Sequence, residues 1–210
     1  MQTTRGTSLA TESAGGDQHH PARRRHIGIL IGVAVFVLAI DVISKIIVVA
    51  TLSDRAPVRL LGGLIKLEET RNSGAAFSMG GGATVVFAAV AVAVIVVILR
   101  TARKLYSGPW AIVLGLLLGG ATGNLVDRIV RSPGVFRGGV VDWINLSHFA
   151  VFNLADSAIT VGGVLAVLLA LMDRQIDGKV VSYKDKPDDA GSAEASADGG
   201  GPARRVDDAG

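Results

Sequence analysis

The stretch VVDWINLSHFAVFNLADSAI, Val140 to Ile159, sets one carboxylate, Asp142, in a short apolar run and a second, Asp156, just inside the start of a hydrophobic helix. An ionised aspartate inside a membrane span costs about 3 kcal/mol on insertion scales unless something compensates it, so such residues usually mark function. Two of them this close in sequence suggest a pair. Two carboxylates held near each other do not both ionise easily: one keeps its proton and the other is free to act as a general base on water. Taken alone, the two residues fit equally well a solvated loop aspartate and a helix N-terminal charge.

Working outward, the apolar runs decide between a soluble and a membrane fold. Half of the 210 residues are hydrophobic and 5% are aromatic, and the mean hydropathy is +0.48. That is too apolar for a soluble domain and points to a membrane protein with polar ends. Arg23, Arg24 and Arg25 precede an apolar run broken only by Asp41, Ser44 and Lys45. No A-x-A site ends it and it reaches spanning length, so it reads as a first transmembrane helix with its basic end inside, not as a cleaved signal peptide. Further spans follow, and the four are predicted at about 27–50, 83–100, 110–127 and 152–172. Arg100, Arg103 and Lys104 end the second and return the chain to the inside. Both termini are then cytoplasmic.

The segments flanking this unit are of another kind. Residues 1–22 and 182–210 are Thr, Ser, Gly, Ala and Asp without apolar period, and both are predicted to be disordered cytoplasmic tails around a four-helix membrane domain at 23–181. Cysteine is absent, which excludes disulfides, thiolate metal sites and a cysteine nucleophile. No zinc spacing exists among His19, His20, His26 and His148, so no metal ligand set is expected. The net charge of +3 has its Arg and Lys bunched beside apolar runs, which suits membrane orientation and not nucleic-acid binding.

The polar residues of the spans fall at one depth. Asp41 lies about 20 Å from the inner end of the first helix and shares a face with Lys45, four residues on, so the two can form an ion pair. In the third span Gly115, Gly119 and Gly123 make a small-residue stripe that lets helices pack closely, with Gly120, Asn124 and Arg128 beside it and Asp127 one turn past Gly123. Asn153, Asp156, Ser157 and Thr160 give the fourth span a polar face over its outer half. Between the first two spans, Arg59–Leu61 and Leu64–Leu67 flank Gly62-Gly63, the composition of a hairpin in a small extracytoplasmic sheet. The run from Arg71 to Ser78 follows, in which Asn72 offers a donor and an acceptor and Gly74 lets backbone approach a ligand closely. One shared site at the outer membrane boundary accounts for all of these together.

The blocks DVISK at Asp41–Lys45, RNSGAAFS at Arg71–Ser78, GGATGNLVDR at Gly119–Arg128, VVDWI at Val140–Ile144 and FNLADSAI at Phe152–Ile159 closely resemble those of the lipoprotein signal peptidase family, in family order. The resemblance implies an all-α integral membrane protein of four transmembrane helices with a small extracytoplasmic β-cradle, in the bacterial cytoplasmic membrane with its active site toward the extracytoplasmic face. It implies an aspartic endopeptidase that removes signal peptides from diacylglyceryl-modified prolipoproteins by cutting just before the lipidated cysteine. Asp142 and Asp156 would be the catalytic pair. Asn72, Gly74, Asn124, Arg128 and Asn153 would bind substrate or hold the aspartates, and Asp41 and Lys45 would support the site. Asp127 stands beside Arg128 and is expected to form a salt bridge with it. Trp143 occupies a position where the family often has Phe. No cofactor or nucleic acid is implied; the expected partners are prolipoprotein substrates and membrane lipids, and the expected state is a monomer.

A second function class is a small proton-coupled membrane transporter, since buried carboxylates also serve proton relays. Against it, the charges cluster at one level and no inverted repeat is visible. A rhomboid-type serine protease is excluded by the absence of G-x-S-G.

Overall fold

The computed structural model describes residues 25–73, 81–147 and 149–179. The two expected tails and Gly74 lie outside the described residues. Four helices, α1 (Ile27–Leu52), α2 (Gly81–Thr101), α3 (Gly108–Val130) and α4 (Leu154–Leu171), are each long and apolar enough to cross a membrane. Their best windows have mean hydropathies of 2.7, 2.7, 1.5 and 2.1. The least apolar, α3, is the central one: 44% of its window is buried, against 17–22% in the others. Its neighbours are α1, α2 and α4. The exposed Ile, Val and Phe of α1, such as Phe36 at 65% and Ile46 at 59%, are what an outward face solvated by lipid tails requires.

Close packing on α3 rests on missing side chains. A Cβ at Gly119 would stand 2.7 Å from both the Ala34 carbonyl and Val37 Cβ of α1, and one at Gly123 would stand 2.5 Å from Asp41 Oδ2. A Cβ at Gly120 would meet the Ala155 carbonyl of α4 at 2.6 Å. The stripe at 115, 119 and 123 therefore faces α1, and Gly120 on the adjacent stripe faces α4. At one end of this bundle lies an apolar cluster of Leu30, Ile98, Ala102, Leu105, Ala111 and Leu114. The buried Asp41, Lys45, Asp127, Asp142 and Asn153 lie at the other.

A four-stranded antiparallel sheet of order β1-β2-β3-β4 covers that polar end: β1 (Val58–Leu60), β2 (Ile65–Asn72), β3 (Val140–Leu146) and β4 (Val151–Phe152). The expected hairpin is its first half. Gly62 and Gly63 have φ of 67° and 95°, the left-handed region that glycine enters without steric cost. The second half corrects two expectations. The segment around Asp142 is a strand and not a loop, because its backbone pairs with β2 from Val140 to Leu146. The fourth helix begins at Leu154 and not at Phe152, which belongs to β4 and pairs with Ile144. The third helix runs on to Val130, so Asp127 and Arg128 lie within it.

One irregularity in the sheet positions the site. Leu67 lies opposite Ile144 and Thr70 opposite Asp142, so β2 spends three residues where β3 spends two. Strict alternation would turn Asn72, five residues past Leu67, to the other face. The bulge reverses that parity and returns Asn72 to the face of Asp142, a re-aiming that bulges commonly perform.

Candidate active site

Asp156 is fixed first by its own helix. Asn153 is the N-cap of α4: its side-chain oxygen accepts from the Asp156 N–H at 3.0 Å, and Asp156 Oδ2 accepts from the Asn153 N–H at 3.2 Å. This is a capping box with Asp at its third position. The carboxylate thus sits in the first turn of α4. Its other oxygen, Oδ1, accepts from Asn124 Nδ2 of α3 at 2.7 Å.

Asp142 comes from the sheet and is only 2% exposed. Asn72 Nδ2 donates to its Oδ2 at 2.9 Å, a diagonal contact across the bulged strand pair, and Asn153 Nδ2 donates to its Oδ1 at 2.6 Å. Burial pushes the Asp142 carboxyl above the ordinary carboxylate range; the two amide donors oppose that push, and the charge of Asp156 adds to it. Asn153 thus serves both aspartates, one through its amide and the other through its cap.

A neutral-sum ionic cluster holds the elements beneath. Lys45 Nζ has three protons and three acceptors: Asp41 Oδ2 at 2.7 Å, Asp127 Oδ2 at 2.8 Å and Asn124 Oδ1 at 3.2 Å. Because an ammonium only donates, it obliges Asn124 to turn its oxygen inward and its amide N–H toward Asp156. Asn153 Nδ2, at 3.2 Å from the same oxygen, reinforces that orientation. The remaining oxygen of Asp41 accepts from the Ala155 N–H at 3.0 Å, so α1 caps the first turn of α4. Asp127 also bonds Arg131 and accepts from the Val141 N–H at 3.2 Å, pinning β3 one residue before Asp142.

The expected Asp127–Arg128 bridge is corrected. Consecutive helical residues point about 100° apart, so Asp127 turns toward Lys45 of α1 and Arg131 of its own helix. Arg128 lies over the Phe87 ring at 5.7 Å and donates to the Asn124 carbonyl at 3.2 Å. It feels the charges of Asp156 and Asp142 but hydrogen-bonds neither among the described residues, and its Nε is buried without a partner. The structure therefore brings together Asp41, Lys45, Asn72, Asn124, Asn153, Asp142 and Asp156, with Arg128 at the edge; Gly74 lies outside the described residues. Sequence reasoning missed Arg131, though its spacing of four from Asp127 was a readable signal, and the backbone donors of Val141 and Ala155, which carried none. Among the described residues no cluster of three or more His, Asp or Glu is arranged to hold a metal ion.

Four spanning-length helices, a small sheet over one end, and two aspartates joined there through one asparagine define a polytopic membrane protein with a carboxylate site at the mouth of its helix bundle. Residues 33–172 match the model of the signal peptidase (SPase) II family. A lipoprotein signal peptidase of Streptomyces coelicolor is 54% identical over 162 residues, covering 77% of this chain and 78% of that protein. Another, of Mycolicibacterium smegmatis, is 41% identical over 196 residues, covering 92% and 83%. A solved structure described as a bacterial membrane enzyme, determined in meso at 1.9 Å, superposes with a TM-score of 0.64 at 28% identity, covering 73% of this chain and 99% of that one. The chain belongs to the signal peptidase II family, the lipoprotein signal peptidases. It is a peptidase by family, which replaces the transporter alternative.

Proposed function

We propose that the protein is an intramembrane aspartic endopeptidase that removes the signal peptide of diacylglyceryl-modified prolipoproteins, cutting before the lipidated cysteine with Asp142 and Asp156 as its catalytic pair. The observation that carries this reading is the meeting of those two carboxylates, from β3 and α4, on the single residue Asn153. Asp156, held in the first turn of α4 by Asn153 and Asn124, is the base that takes a proton from water. Asp142, whose carboxyl burial pushes up, holds the shared proton and donates it to the scissile carbonyl oxygen. The roles exchange as the amine leaves. Asn72, Asn124 and Asn153 keep the four carboxylate oxygens aimed, and Arg128 at the edge of the site is placed to meet substrate backbone.

The basic ends of α1 and α2 support an orientation with both termini cytoplasmic, and the sheet and carboxylates at the extracytoplasmic face of a bacterial cytoplasmic membrane. The test is to incubate the purified protein with a diacylated prolipoprotein and look for the shortened product. Asp142→Asn and Asp156→Asn should each abolish cleavage while leaving the protein folded in the membrane. Substantial turnover by either variant would refute the pair.

A further inference from the structure

A cleft of about 730 Å³ lies at the end of the bundle away from the carboxylates. Arg100 at the end of α2, Lys104 in the following 3-10 turn and Arg174 just past α4 bring three cations to it from three separate segments. None of the three has a carboxylate partner among the described residues, although Asp173 and Asp177 line the same cleft. Asp177 is already engaged, by the Lys179 ammonium at 3.8 Å and the Lys179 N–H at 3.0 Å. The cleft therefore carries an excess of positive charge with only Asp173 set against it.

The rest of the lining is amphipathic. Trp110 at the start of α3 lines the cleft, and its Nε1 donates to the Arg174 carbonyl at 2.8 Å, fixing the segment after α4 in place. Ala170 and Ile176 add apolar wall. One helical turn from Arg100 and from Ala170, toward the bundle centre, Val97 and Val167 are 60% and 59% exposed, so apolar tracks lead away from the charged mouth along both helices. An indole at the boundary between cations and exposed aliphatics is the arrangement of a membrane–water interface.

We infer that this cleft binds the headgroup of an anionic phospholipid, its phosphodiester among Arg100, Lys104 and Arg174 and its acyl chains along α2 and α4. Cationic recesses between helix ends are suited to such headgroups, whereas a soluble phosphate compound would leave the apolar tracks unused. The inference rests on the four helices spanning a bilayer and is independent of the peptidase chemistry at the opposite end.

The two tryptophans of the chain make it testable. In a Trp143→Phe background Trp110 is the only fluorophore of its kind, and the full-length protein is titrated in dodecyl maltoside with phosphatidylglycerol or phosphatidylcholine brominated near the ester. Phosphatidylglycerol is expected to reach half-maximal quenching at an about tenfold lower mole fraction. Replacing all three cations by Gln should remove the difference. Asp173→Asn should widen it, which keeps the inference falsifiable if the triple variant does not fold. Equal quenching by the two lipids, no gain in Asp173→Asn, or loss of the preference in excess inorganic phosphate would each overturn the lipid site.

Discussion

Asn153 Nδ2 donates to Asp142 Oδ1 at 2.6 Å, while the same residue caps the helix that carries Asp156. One side chain therefore does two jobs that chemistry can separate. Serine caps a helix about as well as asparagine but has no amide to reach Asp142. Asn153→Ser is expected to melt within a few degrees of the wild type while its kcat falls roughly 2- to 10-fold, the equivalent of one hydrogen bond to a neutral carboxyl at about 0.5–1.5 kcal/mol. Thermal unfolding in detergent and single-precursor kinetics measure the two separately. An unaltered kcat would show that the amide contact is incidental.

Lys45 makes a contrasting prediction about stability. Removing it leaves Asp41 and Asp127 facing each other in a site where Lys45 is itself fully buried. Breaking a buried ion pair by deleting one partner costs about 3–5 kcal/mol. For a chain of this size that lowers Tm by roughly 10 °C. Lys45→Ala should show this loss. Arg131→Gln should cost only about 1 kcal/mol, since Asp127 keeps Lys45 and the Val141 N–H and the Arg131 side chain is itself 19% exposed. Equal losses for the two variants would mean that Lys45 is not the hub of the cluster.

Much of this cluster was legible in the sequence. Asp41 and Lys45 pair at the expected spacing of four, and the glycine stripe of α3 packs on α1 as its period requires. What was not legible is long-range. Val140–Leu146 has no polar alternation to mark it as a strand; it is one because β2, some seventy residues earlier, supplies its pairing. The bulge between Leu67 and Thr70 has no composition signal either, yet it decides whether Asn72 faces Asp142. Asp127 lay beside an arginine in sequence and bonded a different one, since helical neighbours diverge while residues four apart converge. The gathering of the asparagines was legible as a shared depth; which amide holds which carboxylate was not.

Burial of Asp142 has a consequence for stability against pH. Its carboxyl lies above the ordinary range in the folded protein, so the native state holds that proton more tightly than the unfolded chain does. The contribution to stability is fully present below the unfolded value of about 4 and is lost as pH rises through the folded value. Asp142→Asn removes the titration. The difference in stability between Asp142→Asn and wild type should therefore move in favour of the variant as pH rises from about 4, whatever offset the altered hydrogen bonds introduce. Melting curves in detergent from mildly acidic to neutral pH measure the slope. A difference that is flat across that range would show that Asp142 titrates alike in the folded and unfolded chain.

The last prediction concerns substrate. If Asp142 and Asp156 lie at the extracytoplasmic boundary, a precursor must present its cysteine at one depth, and two acyl chains accomplish this at about 0.8 kcal/mol for each buried methylene. That exceeds what a short peptide's few hydrogen bonds supply. Binding energy from a part of the substrate that does not react can then orient the scissile bond over the two aspartates, which raises kcat as well as lowering KM. A precursor lacking the diacylglyceryl group should thus lose kcat/KM by a large factor, with part of the loss in kcat. The competing account is that the hydrophobic segment of the signal peptide docks unaided and the lipid is incidental. Measuring kcat/KM for modified and unmodified forms of one precursor separates the two. Equal values would refute lipid anchoring while leaving the aspartate pair to stand on its own variants.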